Sequence, residues 1–428
     1  MIELSRYVLE ALRKDEEFIL YRGRSKDDAS QVLVLSPLVE NPAPQILKSL
    51  EQAYSLREEL DSSWATRPIA IALRWDRPVL ASEDPGDVPL DHLLAPASDA
   101  SAEADAGKQP LDIALALHLA ISIAAAIGAL HQRGIIHKDI KPANILVNSA
   151  TGQCWLTGFV IASRLPRERQ LPGPPEFIAG TLPYMAPEQT GRMNRSIDSR
   201  SDLYALGVVL YEMLTGSLPF SASDPMEWVH CHIARQPVPP DTRSESVPAS
   251  VSAIVMKLLA KIAEERYQTA AGLESDLRHC LAEWKSQQRI IEFPLGEHDR
   301  PDRLRIPEKL YGRELEIDTL LASFDRIIAN GRAELVLVSG YSGIGKSSVV
   351  NELQKVLVSP GGLFASGKFD QYKRDIPYST LAQAFQGLIR SLLSKSEAEL
   401  NDWRDALREA LDPIRRDNIM FGKTNLQG

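Results

Sequence analysis

Asp139, Lys141 and Asn144 are spaced in His137-Lys138-Asp139-Ile140-Lys141-Pro142-Ala143-Asn144 as phosphoryl transfer requires. The Asp can accept the proton of an attacking hydroxyl. The Lys two residues on can neutralise a γ-phosphate, and the Asn three residues further can hold a metal ion. A second constellation lies far downstream. Gly340-Tyr341-Ser342-Gly343-Ile344-Gly345-Lys346-Ser347-Ser348 has the G-x-x-x-x-G-K-[ST] spacing of a phosphate-binding loop. Gly340, Gly343 and Gly345 let backbone N–H groups converge on phosphate, and Ser348 closes the loop as the helix begins. Lys346 reaches the β- and γ-phosphates, and Ser347 can ligate Mg²⁺. Both constellations imply ATP and Mg²⁺, with Asn144 and Ser347 facing the metal.

These residues need elements to hold them. Residues 1 to about 95 read as a small β-rich lobe: short apolar runs at 18–22, 31–35, 68–73 and 78–80 predict strands. Between them, Ile46, Leu47, Leu50, Tyr54, Leu56 and Leu60 recur at helical spacing over 45–60. Residues 95–110 have loop composition. A long apolar helix over 111–131 leads into the Asp139 loop, a hairpin joins 145–147 to 153–156, and 202–280 is mostly helical. The charged, proline-containing stretch 285–307 predicts a linker. The phosphate loop sits between a predicted buried strand at 334–339 and a helix at 349–358. A neighbouring strand at 362–367 and a helix after Tyr378 follow. No strand ending in Asp or Glu comes next and the tail 415–428 is unpatterned, so a truncated second domain is expected.

Composition narrows the class. The 428 residues suit two or three domains, with 44% hydrophobic and 25% charged residues. The net charge of -9 opposes broad nucleic-acid binding. Cys154, Cys231 and Cys280 lie far apart without metal-ligand spacing, which fits a reducing compartment. Residues 114–130 are apolar but short for a comfortable membrane span, contain His118 and Ser122, and predict a buried helix.

The Asp139 loop is followed in order by Gly180-Thr181-Leu182-Pro183-Tyr184-Met185-Ala186-Pro187-Glu188, Asp202-Leu203-Tyr204-Ala205-Leu206-Gly207 and Glu265-Arg266-Tyr267. This series resembles the serine/threonine protein kinases. The resemblance implies that Asp202 bonds the catalytic-loop backbone, that Arg266 pairs with Glu188 and that Thr181 positions substrate. It also exposes departures. The metal-binding Asp-Phe-Gly is replaced by Gly158-Phe159-Val160. No glycine cover lies between Tyr7 and Gly23. Leu35 stands where the phosphate-pairing Lys belongs, and Ala53 where its Glu partner belongs, with Glu51 the alternative if the register is two residues off. Lys138 replaces an Arg, and no Ser, Thr or Tyr lies between Arg164 and Gly180, which excludes switching by phosphorylation there.

The order of parts, with Tyr311-Gly312-Arg313-Glu314 and Gly367-Lys368-Phe369-Asp370-Gln371-Tyr372 leading to Ile376-Pro377-Tyr378, resembles the N-terminal region of large bacterial hybrid sensor kinases. It implies an α+β chain: a two-lobed kinase-like fold at 1–285 (small lobe about 1–95, large lobe about 110–285), a linker at 286–309, and a truncated AAA/STAND-type P-loop domain at 310–428. It also implies a cytoplasmic signalling role with a protein substrate or docking partner. The two expectations for the first domain are a weak or inactive regulatory module, and an active kinase with Asp139 as base.

Overall fold

The computed structural model describes residues 4–95 (without 16, 40, 75 and 76), 108–164, 168–169, 180–301 (without 192 and 194), 312–341 and 344–351, with scattered residues between 365 and 404. The chain divides into two compact units, Met1–Pro172 with Ile178–Val358, and Gly173–Phe177 with Ser359–Gly428. Nearly all described residues belong to the first.

The small lobe is an antiparallel sheet of β1 (Tyr7–Lys14), β2 (Phe18–Ser25), β3 (Gln31–Pro37), β4 (Pro68–Arg74) and β5 (Arg77–Glu83), in the order β1-β2-β3-β5-β4. Alternation along the central β3 divides its side chains between two faces. Val32 and Val34 pack with Leu4 and Val79 on one face. Leu33 and Leu35 join Leu20 and Leu80 on the other, over α1 (Pro44–Ser55). The helix stops at Ser55, short of the expected 60, and turns carry Leu56 and Leu60 into the core. β1 lies where the kinase resemblance implies a glycine cover. It is a full strand closed onto β2 by a tight turn in which Asp15 accepts from the backbone N–H groups of Glu17 and Phe18.

After β6 (Val88–Pro89) and α2 (Leu90–Leu94) the large lobe is built on α3 (Ile113–Gln132). Asp112 caps it by accepting from the N–H groups of Ala114 and Leu115. Among the described residues α3 alone is long and apolar enough to cross a membrane, yet residues on all its faces are buried in the lobe. A helix hydrophobic all round belongs in a core as readily as in lipid. β7 (Ile145–Val147) and β8 (Cys154–Leu156) form the expected hairpin, and β9 (Glu168–Arg169) pairs with β10 (Ser196–Ile197). The rest is helical: α4 (Ser199–Thr215), α5 (Pro225–Ile233), α6 (Pro240–Arg243), α7 (Ala249–Leu258) and α8 (Ala270–Gln287). All three cysteines are free and buried.

Part of the stretch expected as linker is held on the large lobe. Ile290 is buried, Phe293 and Leu295 pack on the core, and Asp299 accepts from the N–H groups of Gln268 and Thr269. Beyond it come α9 (Glu314–Asn330) and α10 (Lys346–Asn351). The buried strand expected at 334–339 is not formed. Leu335 is 87% exposed and Leu337 83% exposed, and the segment has no sheet partner among the described residues. Its apolar alternation needs neighbouring strands, and most of the candidate at 362–367 lies outside the described residues, as does the tail 415–428. Residues 380–382 and 384–385 are helical, in line with the periodicity after Tyr378.

Candidate functional site

The loop that carries Asp139 is clamped from below. Asp202, fully buried on α4, accepts from the backbone N–H of His137 at 2.9 Å and of Lys138 at 2.8 Å, and from His131 Nε2 at 2.8 Å. Lys138 adopts φ +69°, a conformation that costs a side chain about 1–2 kcal/mol. The Asp202 bonds to residues 137 and 138, with Gln189 Nε2 donating to the Lys138 carbonyl at 2.8 Å, hold the chain there. His137 is buried against Phe159. Its Nε2–H donates to the Thr157 carbonyl and its Nδ1 accepts from the Asp139 N–H. Burial pulls its pKa below the ordinary value, so it is a neutral packing hub.

Asp139 is the centre of the cluster. Oδ1 accepts from Thr181 N–H at 3.1 Å and Thr181 Oγ1 at 2.7 Å, while Oδ2 accepts from Asn144 Nδ2 at 2.8 Å and pairs with Lys141 Nζ at 3.1 Å. Lys141 also donates to Thr181 Oγ1 at 2.7 Å. Burial alone would raise the Asp139 pKa. Lys141 and the hydrogen bond from Thr181 outweigh it and hold the carboxyl below its usual range, ionised. The four residues therefore form one connected polar group around an ionised carboxylate.

Glu188 and Arg266 meet as the motif order implies. Arg266 Nη1 and Nη2 reach the two carboxylate oxygens at 2.8 and 2.9 Å, fully buried, and Ser201 Oγ donates to the same carboxylate. Arg266 also donates to the carbonyls of Arg200, Lys261 and Ala260.

Above the loop the chemistry changes. One cleft of about 380 Å³, open mouth included, is lined by Leu20, Leu33, Leu35, Ala53, Leu80, Gly158 and Phe159, with Thr66, Ser82 and Thr157 the polar members. Leu35, Ala53 and Gly158, named from three separate stretches of sequence, thus converge on one space. Ala53 faces the core and Glu51 is exposed, which selects Ala53 over the alternative register. No described residue lining the cleft is ionisable.

A metal has little to hold there. Asn144 is 1% exposed, and its Oδ1 is buried without a hydrogen-bond partner, as an available ligand would be. Gly158 across from it has no side chain, and both Asp139 oxygens already accept hydrogen bonds. No group of three or more His, Cys, Asp or Glu side chains among the described residues could hold a metal ion. Mg²⁺ bound at such a site uses one or two carboxylates beside phosphate oxygens, so this donor set does not fit it.

At the phosphate loop, Lys346 Nζ donates to the carbonyls of Gly340 and Tyr341, both at 2.8 Å, and Lys346 opens α10 with Ser347 and Ser348. Gly345 has φ +95°, which glycine permits at low cost. Gly343 lies outside the described residues. Arg326 on α9 pairs with Glu334 at 2.9 Å, tying the approach to the loop back to that helix.

One feature escaped sequence reasoning. β1 is bulged at Leu12, so that Arg13 pairs with Leu20, where regular alternation after Ala11–Tyr21 would pair it with Ile19. Leu20 in turn pairs with Leu35, and Leu35 with Leu80. Arg13 therefore shares the cleft face of the sheet with them. Its Nε and Nη1 are buried without hydrogen-bond partners. Only a register shift, invisible in composition, turns it inward.

Comparison with known proteins identifies two domains. A protein kinase domain model matches residues 98–279 and an AAA ATPase domain model matches residues 309–425. The hybrid signal transduction histidine kinase G of Dictyostelium discoideum is 30% identical over 387 residues, 70% of this chain and 11% of that protein. The serine/threonine-protein kinase PknB of Mycobacterium tuberculosis is 40% identical over 168 residues, 39% of this chain and 26% of that protein. A probable serine/threonine-protein kinase of Corynebacterium efficiens is 33% identical over 205 residues, 47% of this chain and 30% of that protein. The chain thus spans well under two thirds of each relative.

Proposed function

We propose, for a chain that carries a protein kinase domain followed by an AAA ATPase domain, that the kinase domain is a regulatory module of low or no transfer activity. It works beside the P-loop nucleotide site formed by Lys346 and Ser347, in a cytoplasmic signalling protein. One observation carries this reading: Leu35, Ala53 and Gly158 meet in a single apolar cleft. Loss of the cation, its carboxylate partner and the metal ligand together is physically coherent. Any one charged group kept alone in that lining would be buried and unpaired. Removing one preorganised electrostatic group from an active site typically costs about 3 kcal/mol of barrier, roughly a hundredfold in rate.

A second reading rests on a different observation. Asp139, Lys141, Asn144 and Thr181 keep close mutual geometry, which favours a chain that transfers the γ-phosphate of ATP to a protein Ser or Thr with Asp139 as base and Lys141 as phosphate partner. Labelled ATP with Mg²⁺ or Mn²⁺ and generic protein substrates separates the two. The regulatory reading expects equal background from the chain and from Asp139→Asn; incorporation abolished by that substitution establishes the second reading. For the ATPase domain, ATP is expected to raise the melting temperature of the unaltered chain and much less that of Lys346→Ala.

A further inference from the structure

We propose that Arg13 is the anion anchor of the kinase cleft, and that the cleft takes a nucleoside phosphate without a divalent cation. This rests on the regulatory reading above and adds to it a ligand and a residue.

Leu12 and Arg13 oppose the single residue Leu20 where β1 would otherwise alternate, and the extra residue turns Arg13 onto the face that carries Leu20, Leu35 and Leu80. Adjacent strands lie about 4.8 Å apart, so Arg13 stands roughly 10 Å across the sheet from Leu35, within the span of a long cationic side chain and a phosphate chain. A guanidinium remains charged when buried. Two of its N–H-bearing atoms, Nε and Nη1, are buried with nothing to donate to. A buried charged donor left unmade is costly, so the side chain is poised for an acceptor.

Its surroundings specify which. Asp15, Asp139 and Asp91 lie within electrostatic reach and offset part of the cost of burying it. Asp139 is already matched by Lys141. Asp91, at the start of α2, has a buried Oδ1 with no hydrogen-bond donor, and Asn144 Oδ1 has none either. His92, next to Asp91, bonds the Leu12 carbonyl at 3.0 Å and ties the β1–β2 hairpin to α2. Two unmade cationic donors and two unmade acceptors thus lie outside the apolar lining, on the side of the slot where β1 and α2 meet the Asp139 loop. A simple anion would satisfy only the donors. A nucleoside phosphate brings phosphate oxygens for Arg13, hydroxyl or amino donors for Asp91 and Asn144, and a flat base for the slot lined by Leu20, Leu35 and Leu80. No metal is required because the cation is supplied by the chain.

The test uses the full chain carrying Lys346→Ala, which silences the phosphate loop, and follows ADP binding by calorimetry in EDTA. Binding is expected in EDTA and is not expected to strengthen on adding Mg²⁺. It is expected to weaken at least tenfold in Arg13→Ala and Arg13→Gln and to recover partly in Arg13→Lys. Melting of each unliganded variant shows that it is folded, and Arg13→Gln and Arg13→Lys keep the test valid if Arg13→Ala is not. Asp91→Asn is expected to weaken ADP more than pyrophosphate. Absence of binding in EDTA and Mg²⁺ alike overturns the Arg13 assignment and leaves the regulatory reading standing. Binding that needs Mg²⁺ and ignores Arg13 overturns both.

Discussion

Asn144 leans over Gly158: a Cβ placed on Gly158 would lie 2.4 Å from Asn144 Oδ1 and 2.6 Å from its Cγ. The amide cannot simply swing away, because Nδ2 is held by both the carbonyl and the carboxylate of Asp139 at 2.8 Å. The Asn144 amide occupies the space that a side chain at position 158 would take. Gly158 sits at φ +81°, which Asp tolerates better than most residues, so the obstacle is crowding rather than backbone. Gly158→Asp is expected to lower stability by about 1–3 kcal/mol, the usual cost of overpacking. It is not expected to raise phosphate transfer above background while Leu35 and Ala53 remain. Denaturant unfolding and a labelled-ATP assay of the variant check both parts.

Leu35 and Ala53 are expected to be coupled. Leu35→Lys places an ammonium in a lining without a counter-charge, and Ala53→Glu alone buries a carboxylate. Each single variant should be destabilised. The double variant should be more stable than the sum of the two losses predicts, by about 0.5–3 kcal/mol. A double-mutant cycle by urea unfolding reads this directly. Strict additivity would mean the two positions do not face each other.

The Glu188–Arg266 pair should be costly to break and asymmetric. Removing one partner of a buried pair typically costs about 3–5 kcal/mol. Arg266→Ala should cost more than Glu188→Ala, because it also leaves the carbonyls of Ala260, Lys261 and Arg200 without their donor. Thermal unfolding of the two variants ranks them.

Acid should weaken the kinase domain before its carboxylates titrate. His232 is buried, donates from Nε2 to the Leu182 carbonyl and accepts from Tyr204 at Nδ1. Burial, with Lys261 nearby, pushes its pKa down to about 3, and burial also lowers that of His137. An unfolded histidine protonates near 6.5. The native state therefore binds fewer protons than the unfolded state below that pH. The contribution of neutral His232 is complete above about 6.5 and is lost as pH falls toward 3, by up to about 1.4 kcal/mol per pH unit. The urea midpoint should fall between pH 7 and pH 5.5, and less so in His232→Gln. A midpoint that rises on acidification would contradict this.

Much of this site could be read along the chain because its parts are local. Asp139, Lys141 and Asn144 fall within one short loop, and the partners Asp202, Glu188 and Arg266 each sit in a dense motif of their own. Leu35 and Ala53 were legible through register, since strand and helix periodicity fix which side chains face inward. Arg13 was not, because a one-residue bulge decides its direction and no residue type marks it. β1 was missed for a related reason: Leu9, Glu10, Ala11 and Leu12 lack β-branched residues, and pairing with β2 makes the strand. At 334–339 the error ran the other way, since strand-like alternation needs a paired neighbour that the described residues do not supply.

The most direct test asks whether the kinase cleft holds a metal–nucleotide complex. Mn²⁺ can be followed by electron paramagnetic resonance in the presence of a non-hydrolysable ATP analogue, with and without the Lys346→Ala chain. The protein is expected to leave the spectrum of the metal–nucleotide complex unchanged. Stoichiometric, protein-bound Mn²⁺ that disappears in Asn144→Ala would contradict it.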